Sequence, residues 1–168
     1  MAFDSFLELY DSKGKAIEGE SIDKVHSKKL QVKSYSFGLE HPVEAGLGTG
    51  MASGKTKMLE FEVELLQSKG SPVLFELGAT GDHLSKAILY TRKAGSTQQD
   101  YCIWTFIQLF VTGFTVSAGD GADAMVEKIK FAYTGLHYEY RQQDEKGAVS
   151  KSGIKAGWDV KKNDKFTV

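Results

Sequence analysis

Residues Gly48-Thr49-Gly50-Met51-Ala52-Ser53-Gly54-Lys55-Thr56 set glycines ahead of a lysine and a hydroxyl, the ingredients of a phosphate-binding loop. The spacing fails. That loop requires a glycine five residues before the one preceding its lysine, and Thr49 stands there. It must also open a helix whose amides hold the phosphates, whereas Lys57 onward has the period of a strand. Glu60, Glu62 and Glu64 share one face of that strand and could gather a cation, but no second element supplies converging ligands, so a solvated acidic face is expected. Asp120-Gly121-Ala122-Asp123 is too short and too poor in oxygen ligands for a calcium loop and reads as a turn. Cys102 lies among Tyr101, Ile103 and Trp104 with no cation nearby, the setting of a buried thiol rather than a nucleophile. His26, His41, His83 and His137 fall on separate segments without paired ligand spacing. No Gly-x-Ser-x-Gly elbow occurs. Catalytic residues, metal and cofactor are therefore all expected to be none.

Composition narrows the classes further. A chain of 168 residues buries roughly two-thirds of its surface on folding, enough for one core without staples. With 21 basic and 22 acidic residues the net charge is −1, which supplies no field for nucleic acid or anionic lipid. One cysteine forms no intrachain disulfide. The first six residues have neither the positive n-region nor the apolar h-region of a cleaved secretory signal, so synthesis in the cytoplasm is expected. The most apolar run, 102–114, is interrupted by Thr105, Gln108, Thr112 and Gly113 and is too short for a spanning helix, so no membrane insertion is expected.

The elements around these residues are mostly strands. Eighteen glycines, two prolines and many β-branched and aromatic residues between the glycine clusters favour period 2. Phe3–Tyr10 reads as a strand ended by Asp11-Ser12-Lys13-Gly14. Leu30, Val32, Ser34 and Ser36 alternate with Gln31, Lys33, Tyr35 and Phe37 in a second strand of about ten residues. Residues 40–57 form a long glycine-rich exposed loop, and Leu59, Phe61, Val63 and Leu65 alternate with glutamates in a half-buried strand. Ser71 as cap and Pro72 at the first helical position predict one short helix that Gly78 stops. Three longer strands follow, at 83–93, 101–117 and 125–141, joined by glycine turns in an antiparallel meander. Twist accumulates over such lengths, so the sheet should close, which also removes its edges. Residues 142–168 read as an extended tail around Trp158. The fold class is all-β: one domain over residues 1–168, a closed β-barrel with one short flanking α-helix, an extended loop and a C-terminal tail.

Several segments, in order, resemble one family. Met1-Ala2-Phe3-Asp4-Ser5-Phe6-Leu7, Gly19-Glu20-Ser21 followed by Asp23 and His26, and Ser34-Tyr35-Ser36-Phe37-Gly38 are similar to the first third of the haemolysin-coregulated proteins of the bacterial type VI secretion machinery. Ser71-Pro72, Gly81-Asp82-His83 and Thr91-Arg92-Lys93-Ala94-Gly95 resemble that family's helix and next strand. Tyr101-Cys102-Ile103, Glu127-Lys128-Ile129-Lys130-Phe131 and Gly157-Trp158-Asp159-Val160 resemble its last strands and tail. The Asp11–Ala16 connection is a departure from the pattern, and about 27 residues after the last strand leave no room for an appended toxin domain.

The resemblance implies a homohexameric ring, rings stacked into a tube that a contractile sheath encloses and expels from a Gram-negative cell with the spike proteins, and a lumen that carries small effector proteins. Secretion to the extracellular space or a target cell without a signal peptide follows from it. On this reading the glycine-rich loop stacks ring on ring, with Glu44, Gly48, Met51 and Lys55 as candidate contacts, and Ser34 and Ser36 on the second strand line the lumen and touch cargo. The alternatives are a chaperone module acting as free rings and a nucleotide-binding enzyme.

Overall fold

The computed structural model describes residues 3–44, 52–93, 98–119, 125–146 and 148–166. Six long strands form the body: β1 (Phe3–Asp11), β2 (Leu30–Ser36), β3 (Phe61–Leu66), then, after helix α1 (Ser71–Thr80), β4 (His83–Lys93), β5 (Asp100–Ser117) and β6 (Val126–Tyr140). The expected meander of the three longer strands is present as β4-β5-β6, and β1-β2-β3 forms a second one before α1. Antiparallel pairing of β1 with β4 and of β3 with β6 joins them into a closed barrel.

Alternation builds the core. Phe61, Val63 and Leu65 point inward from β3, and Ile129, Phe131 and Tyr133 from β6, while Glu62, Glu64, Lys128 and Lys130 face out. Phe61 stacks on Phe106 at 4.2 Å and on Phe131 at 5.8 Å, and Phe37 meets Phe61, Phe106 and Trp104 edge-on. The phase of the alternation is not constant. Phe106 and Leu109 are both fully buried, three residues apart, because Gln108 between them takes a positive φ of 47° and drops out of the ladders to β4 and β6. In β2 a bulge at Lys33 does the same: Leu30 and Val32 point in before it, Tyr35 after it. The four residues read as one face of that strand are thus split, and Ser34 and Ser36 turn outward.

Ser71 does not cap α1. Gly70 is the N-cap, and the Ser71 hydroxyl instead accepts a hydrogen bond from the Ser68 amide at 3.0 Å. Gly78 does not stop the helix either. It lies inside, where a Cβ would come 3.1 Å from the Val111 side chain, so the missing side chain lets α1 settle on β5 beyond the end of β4. Gly81, with φ 76°, closes it by donating its amide to Leu77.

The long loop is a β-ribbon in its described part. Leu39 pairs with Met58, Glu40 with Lys57, Val43 with Ser53 and Glu44 with Ala52, making an arm that leaves the barrel between β2 and β3. The Asp11–Ala16 connection is a tight turn in which the Asp11 carboxylate accepts from the amides of Lys13 and Lys15. The tail folds back too: β7 (Ile154–Asp159) pairs with the second half of β6 and β8 (Asp164–Lys165) with β7, so β6 changes neighbour from β3 to β7 along its length.

Candidate assembly surfaces

Outward residues of β2, β3 and β6 make one charged face. The Ser34 hydroxyl donates to the Glu64 carboxylate at 2.8 Å, and Glu62 takes Lys128 at 3.1 Å and Lys130 at 3.3 Å. Both lysines hold the Glu62 carboxyl below its ordinary range. Thr112 donates to Glu60 at 2.7 Å. The glutamates of β3 are therefore engaged by neighbours on adjoining strands. Ser36 opens onto a hollow of about 550 Å3 that includes Lys57, Met58, Glu60 and Glu62, so this face runs into the root of the arm.

Ser34 and Ser36 thus lie together beside that root. Lys55 lies on the arm, exposed, in the stretch where Gly54 donates its amide to the Pro42 carbonyl. Glu44 is a ladder residue of the arm by its backbone, and Gly48 and Met51 lie outside the described residues. Among described residues the arm is open to solvent, with Leu39 62% and Val43 56% exposed. No helix follows Lys55: Lys57–Met58 and then β3 are strands, so the amides a phosphate loop needs point elsewhere.

The titratable groups with the most displaced protonation lie on another face. Residues 18–29 cross the outside of β1 and β4 and are fastened by charge. Arg92 of β4 is 2% exposed and pairs with Asp23, with Asp4 at 3.6 Å behind it. The guanidinium holds the Asp23 carboxyl far below its usual range, and the amides of Val25 and His26 donate to the same carboxylate. His26 lies between Phe6 and Tyr90, with Nε2 2.8 Å from Asp100 and Nδ1 3.3 Å from Lys29. Burial opposes charge on Glu8, but hydrogen bonds from Tyr10, Lys29 and Tyr90 outweigh it and keep the carboxyl low; Glu8 in turn pushes Tyr10 up to about 12. Displaced pKa values of this kind often mark active sites. Here each group is taken up by the next, and the network is a clasp. Sequence reasoning missed it, although Arg92 and Glu8 beside apolar strand residues were the available signal. Burial also pushes the Cys102 thiol up, which leaves it a packing residue, as its neighbours predict.

The chain matches the family model described as "Type VI secretion system effector, Hcp" over residues 6–140. Protein hcp1 of Pseudomonas aeruginosa is 27% identical over 164 residues, covering 97% of this chain and 98% of the relative. A solved type six secretion system protein superposes with a TM-score of 0.89 at 27% identity over 98% of this chain and 100% of the other. Hcp1 from Salmonella typhimurium does so with 0.76 at 29% identity over 99% and 100%. Secreted protein Hcp3 from Pseudomonas aeruginosa, at 14% identity, TM-score 0.67 and 94% and 98% coverage, shares the fold.

Proposed function

Since the chain belongs to the Hcp family of type VI secretion proteins, we propose that it is the tube subunit of that machine: six barrels close into a ring, and rings stack head to tail into an expelled tube. One observation carries the reading. The arm is a two-stranded ribbon that keeps Leu39 and Val43 in solvent, and such a ribbon without a third strand or a helix against it is marginal in water. A neighbouring copy supplies the missing surface. Repeated contacts of one unlike pair of patches close into a ring when the rotation fits, so β-rich side faces suit the ring and the arm suits the stack. Deleting residues 46–54 is expected to leave ring mass by light scattering unchanged and to abolish filaments by electron microscopy; rings that stack as before would refute the arm's role.

A second reading concerns the lumen. Ser34, Ser36 and the Glu62 and Glu64 carboxylates give the outer face of β2 and β3 small, polar, hydrogen-bonding character suited to passing contact with small effector proteins. Ser36→Gln should then lower the amount of effector recovered with the rings, and unchanged effector levels would remove this face from cargo binding. Free rings acting as chaperones without stacking are distinguished by the same filament assay. Sheath and spike proteins are the further partners this role requires.

A further inference from the structure

Glu127 sits where a charged residue has no obvious business. It begins the inward row of β6 that continues with Ile129 and Phe131, it is 1% exposed, and its Oε2 has no hydrogen-bond partner. It borders a cavity of about 540 Å3 at the N-terminal end of α1, which it lines together with its ladder partner Val116 and with Phe114, Pro72, Phe75, Glu20 and Lys69.

The groups around the cavity decide what it can take. A helix N-terminus ordinarily favours an anion, but four amides leading into this one are engaged: Ser68 donates to the Ser71 hydroxyl, Lys69 to Glu20, Gly70 to the Ser68 hydroxyl and Ser71 to the Ser68 carbonyl, while Pro72 has none. The Lys69 ammonium is 2.7 Å from Glu18. What is left unmatched is Oε2 of Glu127, and a buried carboxylate oxygen without a donor is costly. An ammonium would match it. The apolar wall suits the methylene stem of a long side chain whose charged head reaches inward.

The direction of the strands says where such a side chain can come from. β2 runs up to the arm and β3 runs down from it, so the arm leaves the barrel at the Ser36–Phe61 end, while Gln67 and Glu127 mark the other end, about 17 Å along β3. Head-to-tail copies bring one molecule's arm to the next molecule's cavity. On the arm, Lys57 has Glu40 opposite it in the ladder, whereas Lys55 is exposed and, among the described residues, has no carboxylate across from it. We propose that the cavity beside Glu127 receives the Lys55 side chain from the arm of a copy in the adjacent ring, an ammonium–carboxylate contact that fixes one ring on the next. This rests on the stacking reading above.

The test uses the full chain with Glu127→Gln, Lys55→Gln and the double variant. Each single substitution is expected to raise the protein concentration needed for stacking about thirtyfold or more, as loss of one partner of a desolvated pair does, with the double variant no worse than either, since the two act through one contact. In wild-type stacks a zero-length carbodiimide should join Glu127 to Lys55 between copies, read by peptide mass. Lys55→Gln lies on the exposed arm, so it stays informative even if Glu127→Gln melts early. Stacks indifferent to Lys55→Gln, or single effects that add in the double variant, overturn the contact while leaving the stacking reading standing. A wild type that forms rings and never stacks overturns both.

Discussion

Arg92 holds its charge against the outer face of the barrel, and Asp23 neutralises it from the loop that crosses over. Because a buried ion that loses its partner keeps its desolvation cost, Asp23→Asn should destabilise the fold by about 3 kcal/mol. For a chain of 168 residues that is a fall in Tm of about 6–12 °C. The effect should depend on pH in a fixed direction. The folded Asp23 carboxyl titrates below its ordinary value of 3.8, so its contribution is complete above about pH 4 and is lost as pH falls further toward the folded value. The gap between wild type and Asp23→Asn in urea unfolding should therefore be full at pH 7 and narrower at pH 3; a gap that is constant with pH would show that Asp23 acts by shape alone. At the alkaline end the sign reverses. Burial pushes Tyr133 up from 10.0 to about 12, so its share of stability is intact below pH 10 and declines as pH rises toward 12. None of this clasp was legible from spacing, because Asp23, Arg92 and Asp100 are joined only by the pairing of β1 with β4 and β4 with β5. Glu127 was closer to legible: in Glu127-Lys128-Ile129-Lys130-Phe131 the alternation that makes Ile129 and Phe131 core residues puts the carboxylate on the same side.

Strand positions could be read from the sequence because β4, β5 and β6 are long, rich in branched and aromatic residues and bounded by glycines. The faces those strands present could not be read so simply. A single residue out of the ladder, Lys33 in β2 or Gln108 in β5, exchanges inside and outside for the residues after it, until in β5 a second irregularity at Thr112 restores Phe114 to the core side, and neither residue type announces this. The tail was misread for a related reason. Residues 154–165 carry few apolar side chains, yet they fold as a hairpin because β3 leaves half of one edge of β6 open and β7 fills it. Two backbones meet closely there. A Cβ on Gly157 would stand 2.5 Å from the Phe166 carbonyl oxygen and 3.1 Å from that of Leu136. Gly157→Ala should therefore part β8 from β7 and leave the barrel whole. Hydrogen exchange would show it: the Phe166 amide, which donates to the Gly157 carbonyl, should lose protection while amides in β3 and β6 keep theirs. Equal loss in both places would mean that the hairpin is part of the barrel's cooperative unit.

At the scale of the molecule, closure and projection are separate properties. The aromatic stack of Phe61, Phe106 and Phe131 and the two seams, β1 with β4 and β3 with β6, hold the barrel, to which the arm adds Met58 at its root. Conversely, Leu39 and Val43 are exposed and lie outside the core cluster, so their apolar surface stabilises nothing within one copy. Replacing both by aspartate should leave Tm within about 1–2 °C of wild type, as exposed substitutions do, and should leave ring mass unchanged. Stacking is another matter. Two carboxylates set into an apolar contact carry a desolvation cost with no partner to offset it, so filaments should disappear from electron micrographs at concentrations where wild type forms them. Loss of filaments together with a large fall in Tm would place the arm in the fold of the single copy; filaments of normal length would place the contact between rings on some other surface.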